Sequence, residues 1–303
     1  MEDYLKYQQY ISDIPDFLYK YLDLDIMLRL KDISVLCGMD NASKDIYNFK
    51  FYMSRFNHSL NAALITWRLT NDKTQTLAAL FHDVSTPVFS HVIDYMNGDY
   101  VNQESTEFKT KDVLLSSRIL LDYLKEDNID INNIIDFKSY SIVDLPRPAL
   151  CADRLDNLIG GGMCWAKNVE LSDAKSIIDN LTTCINEKGQ REITLYSLEL
   201  CKYLRYINNE INRLTHTQED TYMMMLLASI TKCLIKNSII SYDDLYKLTE
   251  PQIVYIIKQN LDIPELCRMW NTFRKITKPV PMVDVKIKEM SLEPYYKGRR
   301  INI

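Results

Sequence analysis

No glycine-rich phosphate loop, internal repeat or low-complexity tract occurs in the 303 residues. Those absences remove the P-loop nucleotide binders and the solenoid architectures. The 7 cysteines form no CxxC pair and are odd in number. Neither a thiolate zinc site nor a disulfide framework is expected, and the thiols read as reduced, mostly buried groups of an intracellular, cytoplasmic protein. The longest apolar run, residues 223–230, falls far short of the ~20 residues a membrane helix needs. The acidic, amphipathic first residues do not read as a secretion signal. A formal net charge of −5 leaves no surplus of cations to draw nucleic acid or a membrane surface over a large area. A small phosphorylated ligand bound at one local site stays compatible with it.

What remains is an ordinary globular composition, 47% hydrophobic and 25% charged, in a chain long enough to bury a core without staples. Histidine is also scarce, with 4 residues, yet three of them crowd into residues 55–94: His58, His82 and His91. His58, Ala62, Ile65 and Leu69 keep helical spacing, and Leu77, Leu80, Phe81 and Val84 mark the buried stripe of a following helix. Two facing helices would then carry His58, His82 and Asp83. Imidazole with carboxylate suits Fe, Mn, Zn, Ni or Mg. Asp83 among Leu80, Phe81 and Val84 would be costly to bury without a cation or strong donors. Asp153, set among Leu150, Ala152 and Leu155, is a second carboxylate in an apolar helix and completes a set of four ligands.

Along the chain, short helical patterns fill residues 4–31, and residues 33–40 allow a small strand. Thr76 opens the helix of His82 and Asp83, and Pro87 breaks it, so that adjacent side chains reach one point. His91 and Asp94 sit three apart on the next helix, which Gly98 ends. Residues 99–112 form a polar surface loop, and residues 113–123 are helical. A helix starting near Pro148 ends at Gly160-Gly161-Gly162. Residues 172–276 read as almost wholly helical, with a capping box at Thr249 to Gln252. Residues 282–288 alternate like a strand with one wet face, and the basic tail from Tyr295 reads as solvated. The expected fold class is all-α: one globular unit over 1–303, with a helical core at about 45–165, a helical C-terminal part at about 166–303 and a few short strands.

The order His58, His82-Asp83, Asp153 resembles the H…HD…D signature of the HD-domain phosphohydrolases. RFNHSL, ALFHDVSTPVFSH and CADRLDN are similar to phrases of the branch that contains the deoxynucleoside triphosphate triphosphohydrolases and their uncharacterised relatives. The resemblance covers roughly residues 30–165. It implies an HD-domain helical core in which His58, His82, Asp83 and Asp153 hold one divalent metal or share two. It implies metal-assisted hydrolysis of a phosphate ester or anhydride. His91 matches a histidine near the substrate phosphates, Asp94 an acidic residue that supports catalysis, Glu104 an acidic residue of the following loop, and Arg55 an arginine that contacts substrate. Two positions depart from that branch, Thr86 and Gln103, where it usually has histidines.

Chemically, a bound divalent ion would activate water and polarise a phosphoryl oxygen. His91 would serve the phosphates or the leaving oxygen, with Asp94 or Glu104 tuning it. Arg55 and Arg154 are the nearest cations in sequence, with Arg147 also in reach, and an arginine fork suits phosphate. Arg154 is balanced between that role and pairing with Asp153 or Asp156. The expectation is a metal-dependent phosphohydrolase acting on a nucleotide or other small phosphate ester. The alternative is a metal-holding, ligand-binding or regulatory protein with little turnover, and a di-iron oxygenase ranks last for want of histidines. No membrane or general nucleic-acid partner is expected, and homo-oligomerisation stays open.

Overall fold

The computed structural model describes residues 10, 11 and 13–302. Residues 4–9 and 12, part of the first helical expectation, lie outside the described residues.

Helix α1 (Arg55–Thr70) is the axis of the fold. The Ser54 hydroxyl caps it by accepting the Asn57 N–H at 3.2 Å, and Asn71 closes it in the left-handed region at φ 51. Such a closure is tolerated by asparagine better than by most residues. Asp72 then caps α2 (Lys73–Phe81), accepting from the N–H groups of Thr74 and Gln75 at 2.8 and 3.2 Å. The two-residue joint makes α1 and α2 packed neighbours. Every residue of α1 from Arg55 to Thr66 is buried, so the helix has core on all sides. Phe56, Leu60, Ala63 and Leu64 pack into one cluster with Leu77, Leu80 and Phe81 of α2. Ala62 and Ile65 pack into a second with Leu155, Leu158 and Ile159 of α4 (Ala152–Gly161).

Between them, α3 (Val92–Asn97) ends at Gly98, φ 76. It packs on α6 (Gln218–Lys236), and α4 packs on α5 (Leu198–Thr215). The last long helices are α7 (Glu250–Gln259), opened by the Thr249/Gln252 capping box, and α8 (Pro264–Lys275).

Several local expectations need correction. Helix α2 starts at Lys73 rather than Thr76, because Asp72 supplies the cap. Pro148 lies outside α4, which begins at Ala152. The triple glycine does not end that helix, which runs on as a wider turn, Gly162–Ala166, and closes at Lys167 with φ 55. The glycine there serves close packing: a Cβ on Gly162 would stand 2.4 Å from Val169 Cγ2 and 3.0 Å from Ile207 Cγ2. The segment 113–123 belongs to two helices, Thr110–Ser116 and Arg118–Glu126.

Within the stretch read as helical, β1 (Leu181–Ile185) and β2 (Arg191–Leu195) form an antiparallel hairpin with Leu181 opposite Leu195. Their threonines and isoleucines favour a half-buried ribbon. The tail is not free in solvent. Tyr295–Tyr296 (β3) pairs with Arg299–Arg300 (β4), Ile301 is buried, and Arg300 binds Glu192 at 2.6 and 2.8 Å. Residues 33–40 make turns and a short 3-10 helix rather than a strand, with a lone bridge from Ser34 to Ser54. Residues 282–288 pair with no strand. Lys288 N–H instead donates to Tyr100 O at 3.0 Å, which lays this segment on the loop after α3.

Candidate metal centre

Three pieces of chain converge. Helix α1 supplies His58 one turn from its start, the end of α2 supplies His82 and Asp83, and α4 supplies Asp153 in its first turn. Because α2 stops at Phe81, His82 is its C-cap and Asp83 stands in the turn that follows, with Thr86 N–H donating to Asp83 O at 2.9 Å. The break frees two adjacent side chains from the ~100° separation a continuing helix would impose.

His58 Nε2 lies 3.0 Å from Asp153 Oδ1 and 3.6 Å from Asp83 Oδ2. His82 Nε2 lies 3.5 Å from Asp153 Oδ1 and 3.7 Å from Asp83 Oδ2. Ligands held ~2.1 Å from one ion at angles of 90–110° stand roughly 3.0–3.4 Å apart; the His58–Asp153 separation falls in that range, and the other three are slightly wider.

Each imidazole has its other nitrogen committed. His82 Nδ1–H donates to Ala79 O at 2.7 Å. His58 Nδ1–H donates to Asp156 Oδ2 at 2.8 Å, and Tyr10 hydroxyl bonds the second oxygen of that carboxylate. Asp153 and Asp156 are three apart on α4, so one helical face holds both nitrogens of His58. With Nδ1 protonated in a neutral ring, Nε2 presents its lone pair. That lone pair faces a carboxylate oxygen at 3.0 Å, and His82 Nε2 is buried with no hydrogen-bond partner. Acceptor against acceptor repels unless a cation or a proton stands between them.

The field has the same sense. Asp83 and Asp153 act on the buried guanidinium of Arg55, whose Nη1 donates to Asp83 Oδ2 at 2.7 Å. Burial opposes ionisation of Asp83, yet Arg55, His82 and His58 hold it well below the usual carboxylate range. Burial likewise opposes a charge on His58, but Asp153 and Asp156 outweigh it and push the imidazole up to about 10. The donor set therefore fits a divalent cation. His58, His82 and Asp83 have donor atoms mutually within 4.8 Å, and Asp144, Cys151 and Asp153 form an adjoining group. Burial pushes the Cys151 thiol up to about 11, so Asp144 is the better donor beside Asp153 there.

The other expected residues divide. His91 is half-buried, and its Nδ1 meets Asp94 Oδ2 at 2.9 Å, while Asp94 Oδ1 accepts Ser105 N–H at 2.9 Å. This pair stands beside the arm Phe89–Ser90, two consecutive non-glycine residues at φ 64 and 49. Ser90 Oγ is 3.3 Å from Arg55 Nε, so Arg55 spans Asp83 and this arm. Glu104 is exposed on the loop, whose tie to Asp94 runs through its neighbour Ser105. The Arg154 guanidinium is buried and taken up by the carbonyls of Ala149 and Leu145, with Asp144 Oδ1 at 3.9 Å.

Two cations sit where the fields of the site reach them. Arg147 is half-buried near Asp153 and Asp144, and burial followed by Arg154 brings it down to about 10. Lys288 is half-buried with its Nζ on Asn102 O at 3.0 Å, lowered first by burial and then by Arg147, while Asp94 and Asp153 act against that. Lys288 carries no local sequence signal, since it arrives from a segment far along the chain. Asp156 does carry one, the helical spacing from Asp153. Thr86 is buried, its hydroxyl without a partner, and Gln103 Nε2 is on Tyr100 O at 3.4 Å.

Residues 55–160 match the HD domain family. The chain is similar to the uncharacterised protein YdhJ of Bacillus subtilis, at 24% identity over 261 residues, 81% of this chain and 75% of that protein. It is also similar to the metal-dependent phosphohydrolase cns2 of Cordyceps militaris, at 28% identity over 134 residues. That match takes in 43% of this chain and 36% of the relative's length.

Proposed function

This chain carries an HD domain at residues 55–160, and from that premise we propose that it is a metal-dependent phosphohydrolase acting on a small phosphate ester or anhydride, a nucleotide among the candidates. The observation that carries the reading is the convergence of His58 Nε2, His82 Nε2 and the Asp153 carboxylate, with His82 Nε2 buried and without a hydrogen-bond partner. His58, His82, Asp83 and Asp153 would hold the ion, with Asp156 and Ala79 O orienting the two rings. When bound, a divalent cation supplies an acidified water and polarises a phosphoryl oxygen.

The remaining work falls to this chain's own groups. Asp94, pinned by Ser105 N–H, fixes His91 through Nδ1 and leaves Nε2 to hold a proton for the leaving oxygen. Arg55 keeps Asp83 ionised and ties it to the arm that bears His91. Arg147 and Lys288 would oppose the charge of a substrate phosphate, with Arg154 shaping the loop from Leu145 to Ala149 that carries Arg147. Glu104 remains a candidate acid only if its loop closes over substrate.

The test is metal analysis of the purified protein, followed by a phosphate-release screen over nucleotides and simple phosphate esters. Metal-dependent release is expected; none on any ester would favour a regulatory metal-holding protein instead. His91→Ala should retain metal and lower kcat by about 10²–10⁴-fold. An effect confined to ligand affinity would assign His91 to binding. With a sealed Thr86 where the triphosphohydrolase branch has a histidine, deoxynucleoside triphosphates should be poorer substrates than a simple ester. Rapid release of intact triphosphate would reverse that ranking.

A further inference from the structure

A second acidic place lies outside the metal centre. A cavity of about 470 Å³ opens between the start of α7 and the turns after residue 30, lined by Asp32, Asp40, Tyr52, Glu250, Tyr255 and Lys258 among others. Glu250 is 3% exposed. Its Oε1 accepts the N–H groups of Ser34 and Phe89 at 2.9 and 3.3 Å, while its Oε2 is buried with no hydrogen-bond partner. Asp40 Oδ1 is in the same condition on the same wall. A buried carboxylate oxygen left without a partner disfavours the charged form until a proton or a cation meets it. The two guanidiniums whose charge reaches Glu250 are engaged elsewhere, Arg29 on the carbonyls of Thr86, Leu245 and Leu248, and Arg55 on Asp83 and Ser90. Lys258 is exposed at the rim.

We propose that this cavity binds a small organic cation, an alkylammonium or guanidinium compound, with its charge between Asp40 and Glu250 and its apolar body against Tyr52 and Tyr255. Tyrosine faces attract such cations in addition to covering their carbon chains. A bare metal ion fits less well. Compact three-donor groups occur at two places among the described residues, and this cavity is neither. Burial, then the charge of Asp40, pushes the Glu250 carboxyl well above its usual range, and burial raises Asp40 too. Both would be relieved by an incoming positive charge. Because Glu250 also holds Phe89, next to the Ser90 that meets Arg55, occupancy would be felt on the arm that bears His91. The proposal stands apart from the phosphohydrolase reading, since it uses none of the metal-binding residues.

The experiment is calorimetric titration of the full chain with agmatine and with n-butylammonium, in chelator to strip the metal centre, with n-butanol as the neutral control. Agmatine is expected to bind with a dissociation constant on the order of 10⁻⁴ M, and n-butanol to give no heat. Glu250→Gln keeps an acceptor for Ser34 and Phe89 but removes the charge, and should weaken agmatine at least ~10-fold. Tyr255→Ala should weaken it roughly 3-fold, and Lys258→Ala should tighten it. No heat from agmatine at ~10 mM, equal binding of n-butanol, or an unchanged affinity in Glu250→Gln would overturn the proposal. Displacement of agmatine by magnesium chloride beyond that caused by sodium chloride of equal ionic strength would also overturn it, and would assign the cavity to a metal ion.

Discussion

Two sets of buried carboxylates in this molecule are pushed in opposite directions. Around α1, Asp83 and Asp153 are held well below the usual carboxylate range despite burial, because Arg55, His58 and His82 face Asp83, while His58 hydrogen-bonds Asp153 and His82 stands 3.5 Å from it. Away from these histidines, Glu250 is pushed well above it. Asp220, which accepts the Tyr47 hydroxyl at 2.6 Å, is pushed up to about 7. Burial acts on both sets alike, and it is the company of cations that decides the sign. A carboxylate that burial alone would neutralise is kept charged only where the fold gathers positive partners, and that is also where a metal ion would be bound.

The same change of one carboxylate oxygen to an amide nitrogen sharpens this contrast. Asp83→Asn should have the largest effect. Metal retention, read by metal analysis after dialysis, should be lost. The metal-free variant should also be less stable by about 3–5 kcal/mol in denaturant titration, because Arg55 would be left buried without its partner. Full metal content in this variant would remove Asp83 from the ligand set.

Asp156→Asn should come next. It leaves an acceptor for His58 Nδ1–H but weakens the polarisation of the ring, and metal affinity should fall about 10–100-fold with the fold intact. An unchanged affinity would make Asp156 a packing partner only.

Asp220→Asn should be the smallest and of opposite sign. A carboxyl whose folded value lies above its unfolded 3.8 stabilises the fold at low pH, and that stability is lost as pH rises to about 7. The amide has no such loss, so the variant should gain on the order of 1–3 kcal/mol relative to wild type at pH 8 and little at pH 4. Asp83 and Asp153 run the other way, contributing stability above their unfolded values that falls away on acidification. A destabilising Asp220→Asn at pH 8, or a neutral Asp83→Asn, would break the comparison.

Reading the chain alone reached the residues that converge at the candidate metal centre because they sit in local patterns that chemistry makes conspicuous: His58 in an apolar helix, a His82-Asp83 pair before a proline, Asp153 in an apolar α4. Caps were legible for the same reason, as with Thr249 and Gln252, since a cap is an interaction across three residues. The hairpin of β1 and β2 was not, because its ten residues show ordinary alternation inside a long helical context and its stability comes from α5 and the β3 strand packed on it. Gly160-Gly161-Gly162 misled for a related reason. Glycine ends helices by its freedom of φ, but here the want of a Cβ lets Val169 and Ile207 close in.

What the sequence by itself determined was therefore the inventory and its local geometry: a largely helical chain, four candidate ligands in order, His91 beside Asp94. Tertiary structure alone decided which nitrogen each histidine presents, since Asp156 and Ala79 O take the other one. It also placed Arg55 on Asp83, occupied Arg154 with carbonyls, and brought Lys288 to the site from a segment nearly two hundred residues further on. Charge and ligation depend on distances between groups far apart in sequence, and only the packing of α1 against α2 and α4 sets those distances.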